Sequence, residues 1–185
     1  MAYARATFID DPDTLPRMPP WVTSARPETH EDVAFLSGAA LAHLHLVVGR
    51  DDVPQALLRE SLALRAAEAC VVHSGRPERA ADLRDALAFL QPGDSPGPAG
   101  ESYLSWRRAV ERPVAAKALN RALPTLEPEQ IATWLEVVKA APVTQAATVL
   151  EAVLGDRPRD FTSALILADA TLAQALGWSH VLPLL

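Results

Sequence analysis

Sixteen prolines are spread along this 185-residue chain, and their spacing limits the length of every regular element. Proline fixes φ and lacks an N–H, so it fits the first turn of a helix and stops one elsewhere. Pro12, Pro16, Pro19, Pro20 and Pro27 crowd the first 28 residues. They predict an irregular arm over 1–28 with no helix of any length. Trp21 in that arm is expected to pin it by packing rather than to bind a ligand. Further on, Pro54, Pro77, Pro92, Pro113, Pro124, Pro128, Pro142 and Pro158 stand at corners between segments rich in alanine and leucine. β-Branched residues are few, so those segments favour helix over strand.

Start and stop signals place the helices. Thr29 and Asp32 have the spacing of a capping box, and Gly49 ends the helix they open. Asp51 or Asp52 caps a second helix over 54–73, closed by Gly75. A third over 78–90 is amphipathic, with Ala80, Leu83, Ala86, Leu87 and Leu90 on one stripe. Further helices are expected over 101–111, 113–123, 128–141, 143–154 and 160–176. The stripe of the 128–141 segment is Ile131, Trp134, Leu135 and Val138. The segment 54–73 spreads Leu57, Leu58, Leu62, Leu64, Val71 and Val72 around its whole circumference. A helix apolar on all sides belongs inside a domain, so this one is expected to be the central post, with Leu62 in the core.

These signals predict an all-α fold: an irregular orthogonal bundle of about eight helices around a central hydrophobic helix. The bundle is expected as one domain over 29–185, preceded by the proline-rich arm. The apolar tail WSHVLPLL is expected either to dock on the core or to continue into further chain.

Composition narrows the function classes. A net charge of −6 argues against a broad nucleic-acid footprint. The single cysteine, Cys70, cannot form an internal disulfide. The apolar run over 33–48 is interrupted by His43 and His45 and falls short of the roughly 20 residues of a membrane crossing. The expectation is a cytoplasmic protein with no membrane partner.

Chemistry-bearing clusters are few. Cys70 and His73 share a helix face, but a zinc site needs three or four ligands and no second pair appears, so no metal and no cofactor are expected. Arg65 and Glu68 are also three apart, and Asp169 interrupts an apolar run. A buried charge needs a partner, so these three are expected to form an ion-pair network, or a polar pocket in the functional reading. The loop GDSPGPAG, with Gly97 and Gly100, offers backbone donors to an anion, and Arg107 follows it. It lacks the Lys-Ser/Thr of a phosphate-binding P-loop. A helix–turn–helix over 130–154 would carry Thr144, Gln145 and Thr148 but no cation on its second helix, which favours a packing hairpin. No catalytic residue is singled out.

The stretches WVTSARPETHEDVAFLSGAALAHL, ALLRESLALRAAEAC and LGWSHVLPLL, with the GDSPGPAG…WRR block as the most specific part, resemble an uncharacterised bacterial family. That family is catalogued only as a domain of unknown function. The resemblance covers most of 21–185. It implies a helical cytoplasmic protein and carries over no catalytic residue. It also implies a further C-terminal region beyond LPLL, of a kind that could bind nucleic acid. Three readings follow. The leading one is a non-enzymatic scaffold that binds itself, as a homodimer, or another protein. The second is a small-molecule or anion-binding enzyme built on Arg65, Glu68 and Asp169 with the glycine loop. The third is an accessory domain of a DNA-associated regulator that itself makes no direct DNA contact.

Overall fold

The computed structural model describes residues 17–136 and 139–184. Among them the chain is all-helical, with nine helices and one isolated bridge between Pro113 and His180. Pro12, Pro16, Val138 and Leu185 lie outside the described residues. The chain divides into two compact units between Val53 and Pro54, where the sequence reading puts the boundary after residue 28.

The N-terminal unit holds α1 (Pro20–Ser24) and α2 (His30–Val48). The expectation of a wholly irregular arm fails at α1. Pro20 occupies its first turn, where the missing N–H costs nothing, and Val22 N donates to Pro19 O at 2.9 Å. Trp21 stacks on Phe35 of α2 with ring centroids 5.5 Å apart. The capping box forms as the spacing predicts: Asp32 N donates to Thr29 Oγ1, and Thr29 N donates to Asp32 Oδ2. The N–H groups of Glu28 and Thr29 and the Thr29 hydroxyl hold the Asp32 carboxyl below the usual aspartate range.

The C-terminal unit holds α3 (Gln55–His73), α4 (Ala80–Ala88), α5 (Gly97–Glu111), α6 (Ala116–Ala122), α7 (Pro128–Leu135), α8 (Pro142–Asp156) and α9 (Phe161–Ala175). Its central helix is α9, which corrects the reading of α3 as the post. Ten of the fifteen α9 residues are buried, Ile166 and Leu167 completely. It carries no lysine, arginine or glutamate, and α3, α5, α7 and α8 all pack on it. By contrast α3 buries only Ala63, Ala67, Cys70 and Val71. Those positions repeat at helical spacing, so α3 is amphipathic, with small residues as its inner stripe. Its leucines lie outside that stripe: Leu57 is 65% exposed and Leu62 is half-buried.

Two boundaries also move. Helix α5 begins in the glycine loop because Gly97 enters with φ of 70° and Pro98 suits a first turn. A Cβ at Gly100 would sit 2.6 Å from Pro96 Cβ, so only glycine fits this turn. Helix α7 stops at Leu135, short of the predicted end at 141.

The tail docks. Gly177 takes φ of 71°, Trp178 N donates to Ala173 O, and Val114 N donates to Ser179 O at 2.8 Å. Trp178, Val181 and Leu182 are buried.

Two outcomes follow. Leu167→Ala is expected to cost about 2–5 kcal/mol in denaturant unfolding, and Leu62→Ala clearly less; equal costs would return α3 to the centre. The Asp32 carboxyl has a lowered native pKa, so its capping contribution is complete above the ordinary aspartate value of 3.8. It disappears as pH falls through the lowered native value. Amide exchange in the first turn of α2 should accelerate over that interval, and Asp32→Asn should remove the pH dependence.

Candidate functional site

Asp169 is 1% exposed, and its Oδ2 accepts a hydrogen bond from Leu184 N at 3.1 Å. The carboxylate therefore ties the docked tail to the core helix. Arg65, in contrast, is exposed and Glu68 half-buried, and neither makes a hydrogen bond or ion pair among the described residues. The network expected of these three does not assemble. The reason is the burial of α9: Asp169 faces the core, whereas Arg65 stands off the buried stripe of α3.

The glycine-loop set is also separated. Gly97 and Gly100 shape the entry to α5, but Arg107 lies ten residues after Gly97, roughly 15 Å along the helix. Arg107 instead faces Glu60 at 3.8 Å in an exposed pair beside α3. Exposed pairs of this kind contribute little.

Cys70 is buried and His73 exposed, with the imidazole edge-on to Phe161 at 4.1 Å. Burial pushes the Cys70 thiol up, with a smaller opposing influence from the neighbouring Trp106 and Thr162; Trp106 Nε1 is buried with no hydrogen-bond partner among the described residues. Among the described residues no cluster of three or more His, Cys, Asp or Glu side chains could hold a metal ion. In α8 the buried stripe is Ala146, Val149 and Val153, and α8 packs on α9. Trp134 Nε1 donates to Asp156 Oδ2 at 2.8 Å, which joins α7 to the end of α8.

The site that the sequence reading passed over lies in the N-terminal unit. Helix α2 is nineteen residues long and none of them is buried. By length and composition it is apolar enough to cross a membrane, with a mean hydropathy of 1.3. Phe35 is 65% exposed, Leu46 53% and Val33 47%. A groove of about 410 Å³ runs between α1 and α2, lined by Trp21, Val22, Ala39, Ala42, His43 and Leu46. Around the position a Gly38 Cβ would take, no atom beyond the adjoining backbone of its own helix lies within 4 Å among the described residues. The signal was present in the sequence as a long run with no polar face.

A family model described as "Protein of unknown function (DUF1403)" matches residues 6–185. The chain belongs to the DUF1403 family. No curated protein and no solved structure gives a significant match. Membership agrees with the resemblance carried by the sequence and assigns no chemistry to any of these residues.

Asp169→Ala should cost about 1 kcal/mol or more, the usual net worth of a hydrogen bond. The Leu184 amide should exchange with solvent much faster in that variant. Unchanged protection at Leu184 would show that Asp169 does not hold the tail.

Proposed function

We propose that this DUF1403 protein is a non-enzymatic interaction protein of the cytoplasm whose docking surface is α2 and whose partner is a second copy of the chain. One observation carries the reading: a nineteen-residue apolar helix buries none of its residues. Water-exposed apolar area of that extent is characteristic of interaction surfaces.

Charge placement favours a second copy. Between Asp32 and Arg50 the only ionisable side chains are His43 and His45, while Glu31 and Asp32 stand at the other end. An antiparallel pair crossing at Gly38 sets the acidic end of each helix against the histidine end of the other. The same arrangement opposes the two helix dipoles favourably. Such a contact is isologous and closes as a dimer. Gly38 and Ala42, one turn apart on the same face, allow backbones to approach closely at the crossing.

Light scattering of the full chain across concentration tests this. The expected result is a reversible dimer whose dissociation constant rises at least about tenfold in Gly38→Leu, equivalent to about 1.4 kcal/mol. The space around Gly38 allows that substitution within one chain. A monomer at every concentration, or a dimer that Gly38→Leu does not weaken, would reject the reading. So would flotation of the monomeric chain with phosphatidylcholine vesicles, which would make the bilayer the occupant of α2.

A further inference from the structure

A second feature lies wholly in the C-terminal unit and is independent of α2. The end of α3, the first turns of α5 and the start of α9 surround a cavity of about 180 Å³. Its lining mixes apolar Phe161, Val71 and Pro98 with Arg76, Arg159, Asp160, Ser102 and Thr162. Cys70, the single cysteine of the chain, also lines it.

The charges around the cavity do not cancel. Arg76 gives Nε and Nη2 to Glu78 Oε1, at 3.2 and 2.5 Å. Asp160 accepts from Ser163 N through Oδ1, and its Oδ2 lies 3.2 Å from Arg157 Nε. Those two pairs are internally neutral. Arg159 is exposed and makes no hydrogen bond or ion pair among the described residues. It is the one arginine of the lining not held in an ion pair, and the Asp169 carboxyl, whose influence reaches Cys70, does not itself line the cavity.

The hydroxyls add donor capacity. Ser102 Oγ and Thr162 Oγ1 are 2.9 Å apart, bridging α5 and α9. Two hydroxyls carry two protons, and the bond between them uses one. Thr162 also stands beside Cys70, whose sulfur is a weak acceptor. Burial keeps that thiol protonated, so it places no negative charge in the cavity. An anionic oxygen is a much stronger acceptor than a thiol for the remaining proton.

We propose that this cavity binds a small oxyanion, a carboxylate or a phosphoryl group. Its oxygens meet the Arg159 guanidinium and the Ser102–Thr162 hydroxyl pair, and any short apolar body rests on Phe161, Val71 and Pro98. Of the glycine loop singled out for an anion in the sequence only Pro98 reaches this set, and Gly97, Gly100 and Arg107 do not line it. The guanidinium and the hydroxyls come from separate segments that only the packing of α5 on α9 brings together.

The test is an amide NMR titration of the full chain with sodium phosphate, sodium acetate and, at matched ionic strength, sodium chloride. Saturable shifts at Ser102, Phe161 and Thr162 with phosphate or acetate, absent with chloride, are expected. The tighter of the two oxyanions identifies the phosphoryl or the carboxylate class. In Arg159→Gln the midpoint should rise at least tenfold; the side chain is exposed and unpartnered, so the rest of the spectrum should be unchanged. Reaction of Cys70 with a small thiol reagent should slow as the oxyanion saturates. Linear shifts shared with chloride, or a midpoint unaffected by Arg159→Gln, would overturn the proposal.

Discussion

A helix with almost no polar surface gains most where other elements cover it, and ten of the fifteen residues of α9 are buried. Between Phe161 and Ala175 its single ionisable side chain is Asp169. Four helices, α3, α5, α7 and α8, pack on it. Its carboxyl accepts the Leu184 N–H. One requirement, covering α9, therefore determines both how the helices of the C-terminal unit are arranged and why the chain after Gly177 folds back. The turn at Gly177 is what permits that return, because its φ of 71° is strained for any residue with a Cβ.

Small side chains set how closely the layers approach. Ala63 and Ala67 of α3 and Ala109 of α5 are fully or almost fully buried, and α3 and α5 are neighbours. Alanine stripes bring backbones together and place the larger Tyr103 and Trp106 into the remaining space. Trp106 is completely buried and lies against Cys70. The same close approach of α3, α5 and α9 opens the polar cavity at their ends. Packing and site are thus consequences of one arrangement of small residues.

The N-terminal unit has the opposite character. Helix α2 is well capped and well formed, yet none of its residues is more than half-buried. Helix α1 covers one part of it through the Trp21–Phe35 stack and leaves a groove alongside. A capping box and a proline start give these helices their ends, but local signals of that kind do not supply a hydrophobic partner. Its apolar surface is the physical basis for reading the protein through association.

Much of the architecture was legible in the chain itself. Local rules placed the all-α class, the Thr29 cap, the glycine stops at Gly49 and Gly75, and the proline corners, because each depends on a few neighbouring residues. Family membership was legible in the same way, through contiguous stretches of residues. Which helix lies at the centre was not. Leucine spread in α3 and the lack of charge in α9 give competing signals, and only the packing of alanines against neighbouring helices decides between them. The fates of Arg65, Glu68 and Asp169 were equally hidden, since spacing along a helix gives a face but not what that face meets. The sequence by itself determined where helices begin and end, through dihedral limits and capping donors close along the chain. Only the tertiary structure decided that Asp169 would hold Leu184, and that Arg159, Ser102 and Thr162 would share one cavity. The Asp169–Leu184 bond needs the turn at Gly177, and Ser102 meets Thr162, sixty residues on, only when α5 packs on α9.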